Sequence, residues 1–356
     1  MAASRLPPTF VHGFHDLAAV QRMKYRPLGR TGMIVSIVSL GASPLGNVYR
    51  KTNDDEAIQV VRTAIKKGIN YIDTAAWYGH GRSEEVLGKA LEGIPREAYY
   101  LATKACRYRP EVDQMFDFSA ERTLRSIDQS LERLKIDYVD LLQVHDPEFA
   151  PSLKMVCEET IPTLQKIKEM GKCRFIGLTG YPMENFVKMV EGTSVQVDTA
   201  LTYCHYSMND TTLLDYMQFF EKRGIGVMSA SPLSMGLLSN RGPPKWHPAT
   251  QEIKETCRKA AEYCQSQGTD LSKLAMYFSL AEPSIPTTLV GTASLTNLQA
   301  NIDVVTGSSL SPKEQEVSDY VMENFFKPLK KKDWENLEVD EYWAKMKKLG
   351  KAPPTS

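Results

Sequence analysis

The sequence predicts an α/β protein folded as one (β/α)8 TIM barrel, with an N-terminal hairpin before it and a C-terminal helix and tail after it. Three observations carry this expectation. Eight short apolar runs rich in β-formers begin at Ser36, Ile69, Ala98, Tyr138, Arg174, Val195, Ile225 and Thr287, and nearly all are followed by a helical pattern. No composition shift or long linker divides the series, so a single parallel sheet of barrel size, typically about 250 residues plus insertions, takes in all eight. A doubly wound open sheet is the runner-up, and it normally carries a G-x-G-x-x-G turn after its first strand. Gly41-Ala42-Ser43-Pro44-Leu45-Gly46 does not match that turn, and Gly79-His80-Gly81-Arg82-Ser83-Glu84 has glutamate where the last glycine belongs.

Residues 1–22 read as a loosely held extension, 23–326 as the barrel and 327–356 as a tail. Between Lys24 and Gly41, the stretch Gly29–Gly32 separates two extended runs, which predicts a hairpin and then the strand Ser36–Leu40. Asp54–Lys67 places Ala57, Ile58, Val61, Ala64 and Ile65 at helical spacing and stops at Gly68, after which Ile69–Asp73 is a strand. Ser83–Leu91 is a helix, Ala98–Thr103 a strand ending at Lys104, and Ser119 a candidate N-cap for a helix reaching Leu134. Tyr138–Val144 is a strand that delivers His145. Helices Glu158–Met170, Glu184–Val190 and Thr211–Lys222 then alternate with strands Arg174–Leu178, Val195–Thr202 and Ile225–Ser229. A Pro/Gly-rich insertion, Ser239–Pro248, precedes helices near Gln251–Ser266 and Leu271–Leu280. The strand Thr287–Val290 and the helices Leu295–Val305 and Ser311–Phe325 complete the series. The tail mixes Lys330, Lys331 and Lys332 with Trp334, Tyr342 and Trp343, and reads either as a face packed onto the body or as a lid over the barrel mouth.

Lysine plus arginine equals aspartate plus glutamate, 43 each, so no global field favours nucleic acid or an anionic membrane. Partners are to be sought in a pocket. Six scattered cysteines form no C-x-x-C pair and no metal-like spacing with histidine, which predicts reduced thiols, no metal and a cytoplasmic setting. The first residues show no secretory apolar core, and no apolar run reaches the ~18 residues of a membrane span. Asn209-Asp210-Thr211 matches a glycosylation sequon but reads as a coincidence or a helix cap.

In a barrel, chemistry sits at the C-terminal ends of the strands and in the loops that follow. That rule selects Asp73 and Tyr78 after the second strand, Lys104 after the third and His145 after the fourth. Adjacent strands lie about 5 Å apart, so the four can share a pocket. A phenol has an ordinary pKa of about 10 and is a slow proton carrier at neutral pH. A neighbouring ammonium favours phenolate, an aspartate can hold that ammonium, and a histidine can hydrogen-bond the reacting oxygen. Singly, each residue has a plain structural explanation: an ion pair, a rim aromatic, a loop start. All four at three adjacent strand ends point to a site.

The chain at this point resembles the aldo-keto reductase family, over roughly Tyr25 to Phe325. The likeness rests on NYIDTAAWYG followed by SEEVLGKAL, on LATK, on SIDQSLERLKIDYVDLLQVHDP, on IGLTG and on SPLSMGLL, in family order and spacing. It implies a nicotinamide cofactor extended across the mouth and the tetrad Asp73, Tyr78, Lys104 and His145, with tyrosine as general acid in carbonyl reduction and general base in alcohol oxidation. Within the family, YCHYSMND, IGLTGYP and LVGTASLTNLQANI resemble the NAD-linked branch that oxidises the anomeric carbon of an aldose to a lactone.

Where many relatives carry Ser-Asn to hold the carboxamide, Thr179-Gly180 stand here; Tyr203 replaces the usual Gln, and Ala230 an aromatic platform that Tyr203 or Tyr206 would then supply. Ser231, Leu233 and Gly236 are expected at the pyrophosphate. Gly291, Thr292, Ser294 and Asn297 form the last loop and Asn301 a candidate adenine contact near a helix start. That loop contains no Lys or Arg to pair with a 2′-phosphate, so NAD is expected over NADP. Tyr49, Trp77, Tyr108 and Trp246 are candidate substrate walls. Three functions compete: NAD-dependent aldose oxidation, NADPH-dependent reduction of aldehydes or steroid-like ketones, and cofactor sensing, since barrels of this family also serve as accessory β-subunits of potassium channels.

Overall fold

The computed structural model describes residues 6–351 and closes eight parallel strands into a barrel. A hairpin, β1 (Tyr25–Pro27) paired antiparallel with β2 (Ile34–Ser36), comes first. The barrel strands are β3 (Val38–Gly41), β4 (Tyr71–Asp73), β5 (Tyr100–Ala105), β6 (Val139–His145), β7 (Cys173–Gly180), β8 (Thr199–Tyr203), β9 (Gly226–Ala230) and β10 (Thr287–Gly291). Each pairs with its neighbour in sequence, and β10 returns to pair with β3, so the sheet has no edge and the open alternative is excluded.

The two-residue period of the strands sorts the core into two layers. Tyr71, Tyr100, Ala102, Leu141, Leu201, Met228 and Leu289 fill the barrel interior, and the hairpin residues Leu28, Met33 and Val35 join them to close its N-terminal end. Residues of the opposite face, such as Ile72, Leu101, Leu142, Ile176 and Leu178, pack outward under helices through Val61, Leu87, Ile127 and Leu164. Ser119 caps the helix Ala120–Leu134 as its sequence predicts, and Asn53 caps Asp54–Lys66 above three first-turn acids that complement the helix dipole. Strand boundaries move where pairing, rather than composition, decides them. β8 starts at Thr199 instead of Val195 because its ladder to β7 begins there, and β5 runs past Lys104 to Ala105.

The described parts of the N-terminal segment and of the tail are more firmly attached than their composition suggests. Thr9 is buried, and the amide of Asn70 ties the N-terminal segment to the hairpin: Nδ2 donates to Thr9 Oγ1 at 2.9 Å and to Ile34 O at 2.8 Å, while Oδ1 accepts from Ser36 N at 2.8 Å. At the other end the tail contains a helix, Leu337–Lys348, with Tyr342 and Met346 one turn apart on its buried face. Tyr342 meets Phe116 and Phe149 edge-on at 5.3 and 5.5 Å, and buried Trp334 stacks on Tyr181 at 5.0 Å. No helix among the described residues is long and apolar enough to cross a membrane. Buried Asn209 accepts from Ser207 and Ser234, while Asp210 caps Thr212, so the sequon residues serve the local turn.

An ion pair locks the tail down. His205 Nδ1 lies 2.8 Å from Asp210 Oδ2, and its Nε2 lies 3.2 Å from Glu335 Oε1 of the tail. Burial disfavours the imidazolium, but the hydrogen bond to Asp210 and attraction to both carboxylates outweigh it and raise the pKa to about 9. A raised pKa contributes stability that is complete below the unfolded value of about 6.5 and is lost as pH climbs through about 9. Thermal unfolding followed at constant ionic strength is therefore expected to show the wild type losing melting temperature between pH 6.5 and 9.5, and His205→Gln losing distinctly less. Parallel slopes would refute the latch.

Candidate active site

Above the apolar filling, the same inward alternation places polar residues. Register sets Lys104 beside Gln143 and His145 beside Thr179, with Asp73 ending the neighbouring strand. Lys104 Nζ forms a buried ion pair with Asp73 Oδ1 and donates to Thr74 O at 2.9 Å and Tyr78 Oη at 3.2 Å. The other carboxylate oxygen of Asp73 accepts from Gln143 Nε2 at 2.8 Å, and Thr179 Oγ1 donates to Gln143 Oε1 at 2.9 Å. Gln143 escapes the sequence reading. Its signal is an amide in the middle of the apolar run YVDLLQV, where a buried polar group needs partners.

Tyr78 is held by a close crossing of two backbones. A Cβ on Gly46 would sit 2.4 Å from the carbonyl carbon and oxygen of Tyr78, so only glycine lets the two loops touch. The His145 ring stands edge-on to Tyr78, with centroids 5.8 Å apart and planes at 89°, and its buried Nδ1 has no partner. Burial, reinforced by the charges of Lys104 and Arg107, holds the His145 pKa well below 6.5, so the imidazole is neutral. Burial opposes the Lys104 ammonium, yet Asp73 and Tyr78 keep it charged. The sequence reading expects Lys104 to lower the Tyr78 pKa. Lys104 does act in that direction, but burial acts more strongly the other way and leaves the phenol above 10. At neutral pH the mouth therefore presents a protonated phenol backed by an ammonium, beside a neutral imidazole. Such a set can give a proton to a developing alkoxide, or accept one at higher pH.

Comparison with known proteins adds four findings. The model of the Aldo/keto reductase family matches residues 38–320. The chain belongs to the aldo/keto reductase family. It is 46% identical over 319 residues to an L-galactose dehydrogenase of Arabidopsis thaliana, covering 88% of this chain and 97% of that one. It is 30% identical to a D-arabinose 1-dehydrogenase of Saccharomyces cerevisiae, covering 84% and 93%. Among solved structures, the holo form of an aldo-keto reductase from Bacillus halodurans superposes with a TM-score of 0.69 at 26% identity, covering 84% of this chain and 96% of that one. This aldo/keto reductase is thus an oxidoreductase, and its site has to accommodate a nicotinamide cofactor.

The structure sorts the remaining candidates of this aldo/keto reductase. The Thr179 hydroxyl is already committed to Gln143. A side chain at Gly180 would meet Glu148 Oε2 at 2.7 Å, so the Asn that relatives carry there would require the Glu148 carboxylate to move. Glu148, unmarked in the sequence, is half-buried with that oxygen enclosed and unpartnered, and desolvation beside Asp146 raises its pKa well above the usual value. Tyr203 stacks on Tyr181 at 4.9 Å at the end of β8, whereas Tyr206 is buried on Phe278 at 5.3 Å and is no platform. Ser231, Ser234 and Met235 are left-handed without being glycine. The turn through Leu233 and the two left-handed residues after it is tight, with Ser234 N donating to Ser231 O at 2.8 Å and Gly236 N to Leu233 O at 2.9 Å. Ser294 precedes the helix Leu295–Thr306, and its hydroxyl accepts no capping hydrogen bond. Asn297 sits in its first turn, and Asn301 one turn further on rather than at the helix start. Tyr49 and Trp246 meet in a stack at 5.9 Å, joining the first barrel loop to the insertion, and Trp77 lies under Arg107 at 4.2 Å. Tyr108 is buried under Arg122 on the barrel flank, so it is no substrate wall.

Gly46→Ala tests the crossing directly. The added methyl should push the Tyr78 loop outward, cutting turnover by about 100-fold, as small misplacements of a reacting group do, while circular dichroism shows the barrel retained. Full activity in that variant would show that Tyr78 does not need the contact.

Proposed function

We propose that this aldo/keto reductase oxidises the anomeric carbon of an aldose to a lactone with NAD, as the names of its dehydrogenase relatives suggest. The observation that carries the reading is the buried Asp73–Lys104 pair holding Tyr78 at the barrel mouth with His145 edge-on beside it, on a chain 46% identical to an L-galactose dehydrogenase. The cofactor, when bound, takes up or returns the hydride. For its part the chain positions and protonates. Tyr78 accepts the proton of the substrate hydroxyl through its phenolate, Lys104 stabilises that phenolate, Asp73 orients Lys104, and neutral His145 hydrogen-bonds the reacting oxygen. Because the phenol sits above 10, oxidation should quicken as pH rises toward alkaline values and carbonyl reduction should slow over the same range. The same protonated phenol favours one second reading, carbonyl reduction at neutral pH.

Gly180 and Tyr203 would lie at the nicotinamide, the Ser231–Gly236 turn at the pyrophosphate, and Gly291, Thr292, Ser294, Asn297 and Asn301 at the adenosine. The free thiols of all six cysteines support a cytoplasmic setting. The tail serves as a lid: Trp334 and Tyr342 span the loops after β5, β6 and β7, with Glu338 between them one turn before Tyr342.

Reduction of NAD across a panel of aldoses and secondary alcohols tests the reading. Turnover should concentrate on aldoses, and Tyr78→Phe should lose about 10²–10⁴-fold in kcat with cofactor binding nearly intact. Activity confined to aldehydes and NADPH would replace it with the reductase. Bound cofactor without turnover would point to a sensor.

Cofactor choice has its own support. The loop Gly291–Asn297 carries no cation, and Glu56 Oε1 accepts from Leu295 N at 3.2 Å, so a carboxylate already sits at that helix start. Fluorescence titration is expected to give tighter binding of NADH than of NADPH. The reverse order would sink the assignment.

A further inference from the structure

The loop after β5 has two faces. Its inner face carries Arg107, paired with Asp146 at 2.7 Å beside His145, while Phe116, stacked on Phe149 under the tail helix, also lines the hollow on the outer side. Its outer face and the exposed side of the helix Ala120–Leu134 enclose a hollow of about 430 Å³ that contains none of the tetrad. We propose that this hollow binds a small phosphorylated ligand, with Arg122 as the central receptor and Arg109 and Arg125 beside it.

Arg122 is held in place before any ligand arrives. Its guanidinium carbon lies over the Tyr108 ring, 3.6 Å from the centroid, and Tyr108 is itself buried with its hydroxyl accepting from Cys106 N at 2.9 Å. One Nη1 hydrogen bond goes to Gln129 Oε1 at 3.2 Å, and among the described residues no carboxylate stands within ion-pair distance. The remaining N–H edge is open to the hollow. A guanidinium whose face rests on an aromatic ring and whose edge is unspent can accept an oxyanion in a two-pronged bond at little cost in side-chain entropy.

The surroundings set the charge. Arg125 and Gln129 follow Arg122 by three and seven residues and so share its helix face, while Arg109 enters from the loop. Neither Arg109 nor Arg125 makes an ion pair among the described residues. The two carboxylates at the rim are already used. Asp117 accepts from Ser119 N at 3.0 Å and Ser119 Oγ at 2.6 Å, and Asp113 pairs with Lys351 at 2.9 Å, which holds its carboxyl below the usual range. Three guanidinium groups approaching from two elements suit a tetrahedral dianion, whose oxygens accept from several directions, better than a single carboxylate. The volume suits a ligand of sugar-phosphate size.

The test is calorimetric titration of the full-length protein with glucose 6-phosphate at saturating NAD, with glucose and citrate as comparison ligands. Saturable binding of glucose 6-phosphate with Kd below about 1 mM, absent for glucose and weakened between 50 and 200 mM salt as ionic screening requires, is expected. Arg122→Gln should weaken it at least about tenfold without changing turnover. The doubly substituted Arg109→Gln/Arg125→Gln protein, altered only at exposed positions, should weaken it about fivefold or more and keeps the test valid if Arg122→Gln does not fold. Equal affinity for glucose, or affinity unchanged in these variants, would show a solvated basic face and overturn the site. Citrate binding as tightly as glucose 6-phosphate would overturn the ligand class.

Discussion

The structure depends on one buried ion pair. Burying Asp73 and Lys104 costs several kcal/mol per charge, and their attraction offsets this only when the remaining hydrogen-bonding capacity is met. The barrel meets it from adjacent positions: Gln143 on β6 serves Asp73, Thr179 on β7 steadies Gln143, and the carbonyl of Thr74 and the phenol of Tyr78 complete the ammonium. A shift of one residue in any of these strands would turn the polar members outward under the helices. The register of four strands is thus tied to one charge pair, and removing either partner leaves a buried charge worth about 3–5 kcal/mol of destabilisation.

The mouth is also where the backbone is strained. Cys106, Asp146, Cys204 and Ser231 are the residues that immediately follow β5, β6, β8 and β9, and all four adopt left-handed conformations without being glycine. Each such corner costs of order 1–3 kcal/mol and persists only where surrounding contacts dictate it. Here Asp146 is fixed by Arg107 and by its own N–H to Thr179 O at 2.7 Å, while Cys204 N donates to Ala230 O at 3.0 Å. These corners turn the chain away sharply, so the strand ends that carry Lys104 and His145 keep their place whatever the loops beyond them do.

The strands and helices were legible because their periods are local, and Asp73, Tyr78, Lys104 and His145 because strand ends in a barrel converge. What was hidden depends on distance rather than spacing. Gln143 and Glu148 acquire meaning only from the carboxylate and the glycine opposite them. Tyr108 and Tyr206 look like mouth aromatics in sequence, yet Arg122 and Phe278 claim them on other faces. The helical pattern of the tail is diluted by lysines, so Tyr342 and Met346 stand out only once Phe116 and Phe149 are seen beneath them. The sign of the Tyr78 shift was misjudged for a related reason. A neighbouring lysine is visible in the sequence, whereas the depth of burial that outweighs it is not.

The tail has a consequence beyond the site. Trp334 and Tyr342 cover Tyr181, Phe116 and Phe149, aromatic rings that belong to three different loops. Stripped of that cover, the rim would offer contiguous apolar surface of the kind that draws copies of a protein together. The last helix, with Glu338, Asp340, Glu341, Lys345, Lys347 and Lys348 among its residues, replaces that surface with a charged one. The end of the chain therefore also determines how well the molecule stays dispersed in water.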